Sequence, residues 1–145
     1  MRLAIGNDHV GLELKLKLDE YFSKHKIDLT HFGAYDENRM HYPEVGFAVS
    51  KAVSDGDYDA GILICGTGIG MVIAANKVSG IRAVVCSEPY SAGMSREHND
   101  SNILCLGARV VGHDLAEMIL NTWLNTKYEG GRHQTRVDMI NNYDK

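Results

Sequence analysis

The chain has 145 residues, of which 44% are hydrophobic and 23% charged, and its formal net charge at pH 7 is −4. That length suits one domain, residues 1–145, with a sizeable core. Dispersed Lys and Arg exclude the basic footprint of a nucleic-acid binder, and the longest apolar runs fall far short of a membrane span.

Arg2 to Gly6 reads as a short strand, followed by the loop Asn7-Asp8-His9-Val10-Gly11. Leu14, Leu18 and Tyr21/Phe22 recur at helical spacing, which predicts an amphipathic helix over about 11–26. Ile27 to Phe32 is a second strand, and Gly33 to Tyr42 a polar loop. Val45, Ala48/Val49 and Ala52/Val53 mark a second helix, with Pro43 suited to its first turn and Asp55-Gly56-Asp57 at its end.

Gly61 to Ile64 is an apolar run bounded by turn residues and reads as a buried strand, with Cys65 where it ends. Gly66, Gly68 and Gly70 make a loop whose backbone N–H groups a ligand can approach closely, or else a tight turn beside an inert thiol. The loop opens into a helix reaching about Val78, whose N-terminus would attract anions and favour a thiolate.

Ile81 to Cys86 is a fourth strand. Ser87 is a candidate N-cap, with Pro89 near the first turn, for a helix ending near His98-Asn99-Asp100. Asn102 to Leu106 is a fifth strand, and the loop from Gly107 to Gly112 carries Arg109. Asp114 with Glu117 resembles a capping box for a helix whose core face is Leu115, Met118/Ile119 and Trp123. Glu129-Gly130-Gly131 is a break, and Arg132 to about Asn142 is a last short helix.

Five strands alternating with helices imply an α/β fold, a parallel sheet covered on both faces. Ligands in such sheets bind beyond the carboxyl ends of the strands. Asp8 and His9, the stretch Cys65 to Gly70, and Arg109 all fall there.

Cys65, Cys86 and Cys105 are odd in number and widely spaced, with no C-x-x-C pair, so neither a disulfide framework nor a zinc site is expected. A cytoplasmic location follows from that usage and from an N-terminus lacking a signal-peptide apolar region. Cys86 and Cys105 fall in apolar strand patterns and read as core fillers.

The run Gly66-Thr67-Gly68-Ile69-Gly70-Met71 has G-x-G-x-G but Met at the sixth position, and it follows the third strand, which argues against a dinucleotide site. Met71 also excludes the Cys-x5-Arg pattern of a thiol phosphatase, and Gly68 excludes a thioredoxin-like pair. Arg132 and Arg136, four apart, share a helix face that either grips a phosphate or is simply solvated. His9 either donates to an anion or caps the next helix. His98-Asn99-Asp100 is either an acid–base group with its orienter or a structural helix end. His25, His31, His41, His113 and His133 read mostly as surface residues.

Seven stretches, in order, resemble the type B ribose-5-phosphate isomerase family. They are Asn7-Asp8-His9-Val10-Gly11, Ile64 to Gly70, Ala74-Ala75-Asn76-Lys77, Gly80-Ile81-Arg82-Ala83, Arg96-Glu97-His98-Asn99-Asp100, Gly107 to Gly112, and Tyr128 to His133. The wider family includes isomerases of allose and galactose 6-phosphates. The resemblance implies a Rossmann-like three-layer α/β/α sandwich with a five-stranded parallel sheet. It implies a homodimer, or a dimer of dimers, with active sites shared between subunits, and neither cofactor nor metal. It makes Cys65 the base that moves a proton between two carbons. His98, from the partner chain, becomes the ring-opening acid, with Thr67 assisting. Asp8 and Asn99 would hold sugar hydroxyls, the amides of Gly66, Gly68, Ile69 and Gly70 an enediolate, and His9, Arg109, Arg132 and Arg136 the phosphate. Asn7 stands where the family more often has Ser or Cys. Met71 stands where another branch places a glutamate base, which leaves Cys65 as the local candidate.

Overall fold

The structure is a computed structural model that describes residues 1–143. Its strands are β1 (Arg2–Asn7), β2 (Asp28–His31), β3 (Ala60–Cys65), β4 (Ala83–Val85) and β5 (Ile103–Gly107). The helices are α1 (Leu12–Lys24), α2 (Tyr42–Ser54), α3 (Ile69–Ala75), α4 (Pro89–Asn99), α5 (His113–Asn125) and α6 (Arg132–Asn142). The strands form one parallel sheet in the order β2-β1-β3-β5-β4. This is the α/β sandwich expected from the alternating pattern.

Parallel strands alternate their side chains between two buried faces. Ile62, Ile64, Leu104 and Leu106 point into a core closed by Leu14 and Leu18 of α1, Ala92 of α4, and Ile119, Leu120 and Trp123 of α5. Leu63, Cys65, Ile103 and Cys105 point to the other face, against Val45, Val49 and Val53 of α2 and Met71 and Ala75 of α3. Cys65 therefore belongs to the α2–α3 layer. The order of the sheet reverses between β1 and β3, and at such a switch point a crevice opens beyond the carboxyl ends of the strands.

Several local expectations are corrected. The third helix stops at Ala75 rather than near Val78, because the Asn76 side chain turns back to β4. Its Nδ2 donates to the Ala83 carbonyl at 3.0 Å and its Oδ1 accepts from the Ala83 N–H at 2.9 Å. Glu88, not Ser87, caps α4, accepting from the Ser91 N–H at 3.0 Å. Gly112 is the N-cap of α5, so Asp114 and Glu117 form no capping box. Met118 is exposed, and Ala116 and Leu120 take its place on the core face with Ile119 and Trp123.

Candidate active site

Cys65 closes β3 and is buried. The chain then turns sharply enough that the Gly68 N–H donates to Cys65 Sγ at 3.1 Å. A sulfur anion accepts such a bond more strongly than a neutral thiol. The turn requires glycine at position 68, where φ is +78° and a Cβ would lie 2.7 Å from Val85 and 3.1 Å from the Leu106 carbonyl carbon. Thr67 and Ile69 stand exposed on the lip of the loop, and Thr67 Oγ1 accepts from the Ile69 N–H at 3.2 Å.

Two neighbouring loops are tied to this one. The Asp8 N–H donates to the Ile64 carbonyl at 3.0 Å, and Asp8 Oδ1 accepts from the Gly11 N–H at 2.9 Å. The carboxylate of Asp8 is thus fixed beside the end of β3. His9 does not cap α1, whose N-cap is Gly11; its Nδ1 faces the Met40 N–H at 3.4 Å. On the other side the Ala108 N–H donates to the Cys65 carbonyl at 2.8 Å and the Arg109 N–H to the Gly66 carbonyl at 2.9 Å. The Arg109 guanidinium consequently lies over the loop, where a Cβ on Gly66 would be 3.7 Å from Nη1. Asp8, His9, Cys65 to Gly70 and Arg109 are brought together at the switch point, as their positions in the sequence imply.

His98, Asn99, Arg132 and Arg136 form a second group. The first two end α4, and the arginines lie exposed on α6, which packs against α4. The segment after α4 runs to the amino end of the sheet, where the Asn102 carbonyl accepts from the Gly61 N–H at 2.9 Å. Cys65 is at the opposite end of that strand, four residues or roughly 13 Å away at about 3.3 Å per residue. Within one chain the two groups sit at opposite ends of the sheet.

Asp100 is not the orienter of His98. It sits in the left-handed region at φ 47° and pairs with Arg82 Nη2 at 3.1 Å and Arg96 Nη1 at 3.8 Å. Arg82 Nε also donates to the Asn99 carbonyl at 3.1 Å, so the network fixes the end of α4. The neighbours of His98 are Glu97, with a carboxylate oxygen 3.6 Å from Nε2, and the stacked ring of His133. His133 is buried, as sequence spacing had not suggested. The ligand atoms of His98, Glu129 and His133 lie within 4.8 Å of one another, the spacing of a group able to hold a metal ion.

His31 is a second, half-buried contact that local sequence missed. Its Nε2 lies 2.8 Å from Asn7 Oδ1, while Asn7 Nδ2 donates to the Asp8 carbonyl at 2.9 Å. Asn7 thus steadies the backbone at Asp8. Burial, with Lys15 nearby, lowers the His31 pKa from its ordinary 6.5. Burial pushes the Cys86 thiol up to about 11, and Cys105, fully enclosed, is raised as well. Both suit core fillers. Grooves between α1 and α5 (Tyr21, His25, Glu117) and beside α6 (Asn76, Gly80, Asn141) do not include Cys65.

The model of the ribose/galactose isomerase family matches residues 3–140. Ribose-5-phosphate isomerase B of Escherichia coli (strain K12) is 52% identical over 139 residues, covering 96% of this chain and 93% of the relative. A solved structure of ribose-5-phosphate isomerase B from Clostridium thermocellum superposes with a TM-score of 0.97 at 50% identity, covering 99% of this chain and 97% of that one. The enzyme of the same name from Mycoplasma genitalium, solved with bound ribulose-5-phosphate, gives a TM-score of 0.93 at 37% identity, covering 99% and 95%.

Proposed function

The chain belongs to the ribose/galactose isomerase family, and on that premise we propose that it interconverts D-ribose 5-phosphate and D-ribulose 5-phosphate. The observation that carries this reading is the seat of Cys65, a thiol under a glycine-loop amide at the switch point, between a fixed carboxylate and an arginine. The names of the relatives at 52% and 50% identity, and the ribulose-5-phosphate bound by the Mycoplasma protein, support the substrate.

Aldose–ketose isomerisation removes a proton from the carbon beside a carbonyl and returns it to the neighbouring carbon. In this reading Cys65, as the thiolate, takes the proton from C2 of the open-chain sugar. The resulting enediolate lies against the amides of Gly66, Gly68, Ile69 and Gly70, donors of a kind worth about 10²–10³ in rate each. The same sulfur delivers the proton to C1, so no electron leaves the sugar and the reaction balances without a cofactor. Thr67 stands at the lip and assists ring opening, with Asp8 holding a sugar hydroxyl. His9 and Arg109 face the phosphate, whose binding supplies energy remote from the reacting carbons.

Ring opening needs an acid, and His98 is the candidate. His98 and Cys65 of one chain stand too far apart to touch one pentose, so the reading takes the acid from a second copy. The partner subunit's His98, Asn99, Arg132 and Arg136 would then complete the site. Exposed Tyr42, Ile69, Ile73 and Val85 around the glycine loop suit burial against that copy, as a homodimer or a dimer of dimers. Residues 1–145 act as one domain, in a reducing cytoplasm. Among the described residues no helix is long and apolar enough to cross a membrane.

A six-carbon sugar phosphate, allose or galactose 6-phosphate, is the alternative substrate within the family, and a phosphosugar-binding protein without turnover is the alternative outside it. Steady-state rates on ribose, allose and galactose phosphates separate all three. The reading expects ribose 5-phosphate to have the highest kcat/KM; a preference for a hexose phosphate, or no ketose formed from any, contradicts it. Incubation with a chelator should leave the rate unchanged, and inactivation would reveal a required metal.

A further inference from the structure

Beneath the candidate acid lies a second imidazole that the reaction as described does not use. The rings of His98 and His133 stack with centroids 4.3 Å apart and planes 12° from parallel. His133 opens α6 and is 7% exposed, whereas His98 is half-buried. His133 Nε2 has no hydrogen-bond partner among the described residues, although it is enclosed. The nearest anion is Glu129, with a carboxylate oxygen 3.5 Å away. The loop carrying Glu129 is anchored to the helix carrying His98, because the Glu129 N–H donates to the Glu97 carbonyl at 3.0 Å. Near-parallel ring planes send the lone pairs of the two histidines side by side rather than toward one point. The arrangement therefore reads as a stacked pair with a carboxylate, not as a closed metal site.

We propose that His133 and Glu129 are positioning residues for His98, the stacked ring fixing the plane of its imidazole and Glu129 holding that ring in place. This rests on the reading of His98 as the ring-opening acid. An exposed imidazole on the last turn of a helix is free to swing, and a general acid works only when aimed at the atom it protonates. A buried aromatic platform removes that freedom at no cost in rotamers of its own. The charged and titratable groups facing His98 are Glu97 on its own helix and Glu129 and His133 across the α4–α6 contact. Of the two carboxylates, Glu129 reaches the pair from outside the helix.

Two assays isolate the step. Turnover of ribose 5-phosphate begins from a closed ring and needs the acid. Exchange of the C1 proton of ribulose 5-phosphate with deuterated water, followed by proton NMR, begins from an open chain and needs only the base. His98→Asn should lower ribose 5-phosphate turnover by about 10²-fold or more and leave the exchange intact; unchanged turnover removes the reading of His98 itself. His133→Ala should lower turnover by roughly tenfold, a part of the general-acid contribution, with the exchange again intact. His133→Phe keeps a flat ring to stack on His98 while removing both ring nitrogens, so it should retain more turnover than His133→Ala. Glu129→Ala, at an exposed position, should lower turnover with the exchange intact, and Glu129→Gln, which keeps an oxygen facing His133 Nε2, should recover most of it. If His98→Asn behaves as expected but the His133 variants keep full turnover, or lose turnover and exchange together, or if Glu129→Ala keeps the parent turnover, the positioning role is overturned while the acid stands.

Discussion

A thiol removes a carbon-bound proton only as its anion, and of the three cysteines Cys65 is the one whose sulfur accepts a loop N–H. Cys65→Ala should abolish ketose formation, read by absorbance, while calorimetry still detects ribose 5-phosphate binding; retained turnover would reject the base. His31 gives a prediction about stability. Its folded pKa is lowered, first by burial and then by Lys15, so the unfolded chain takes up the proton first as pH falls. The neutral ring thus contributes stability above the unfolded value of 6.5, and the contribution is lost as pH drops toward the lower folded value. Urea midpoints should fall on acidification from about pH 7 to about pH 5, and His31→Gln should flatten that fall; an unchanged slope would contradict it. At this scale the glycine loop, the thiol and the Arg132–Arg136 spacing were legible, since each is a local pattern. The half-buried seat of His31 and the burial of His133 were not, because they are created by Asn7 and by α4, which lie far away in sequence. The pairing of Asp100 with Arg82 was hidden for the same reason, and adjacency to His98 misled.

The elements bring the loops together by contacts between main chains. Gly107 ends β5, and a Cβ there would lie 2.6 Å from the Thr67 carbonyl oxygen and 2.7 Å from its carbon. Backbone cannot swing aside as a side chain does, so Gly107→Ala should push the glycine loop away from its seat. A displacement on the order of 1 Å in such a site costs about 10²-fold in rate. Steady-state kinetics should show kcat falling by that order in Gly107→Ala, whereas Gly112→Ala, with nothing within 4 Å of the new Cβ, should keep the parent kcat. Equal kinetics in the two variants would contradict the account. Strands were legible because parallel, doubly covered strands are continuous apolar runs between turn residues. Helix ends were less so. Asn76 stops α3 by bonding to β4, and Glu88 outcompetes Ser87 at α4 because its carboxylate reaches the Ser91 amide. Met118 fits the helical period of α5, yet the sheet contact falls on Ala116 and Leu120 instead.

At the scale of the whole molecule, the division of the site between two ends of the sheet is the dominant fact. The switch point holds Cys65, Asp8, His9 and Arg109, and the far end holds His98, Asn99, Arg132 and Arg136. The sequence placed each group on its element, and the strand length then separates them by more than a pentose can bridge. The account joins them through a second copy packed on the exposed apolar side chains around the glycine loop. Hybrid dimers test this most directly. Cys65→Ala and His98→Asn chains, each about 10²-fold or more below wild type on ribose 5-phosphate alone, are co-expressed with different tags, and the mixture is purified and assayed. One intact site in each hybrid dimer should restore roughly a quarter of the wild-type rate. A mixture in which the hybrids are present but turnover stays at the level of the parents would contradict a site built from two chains.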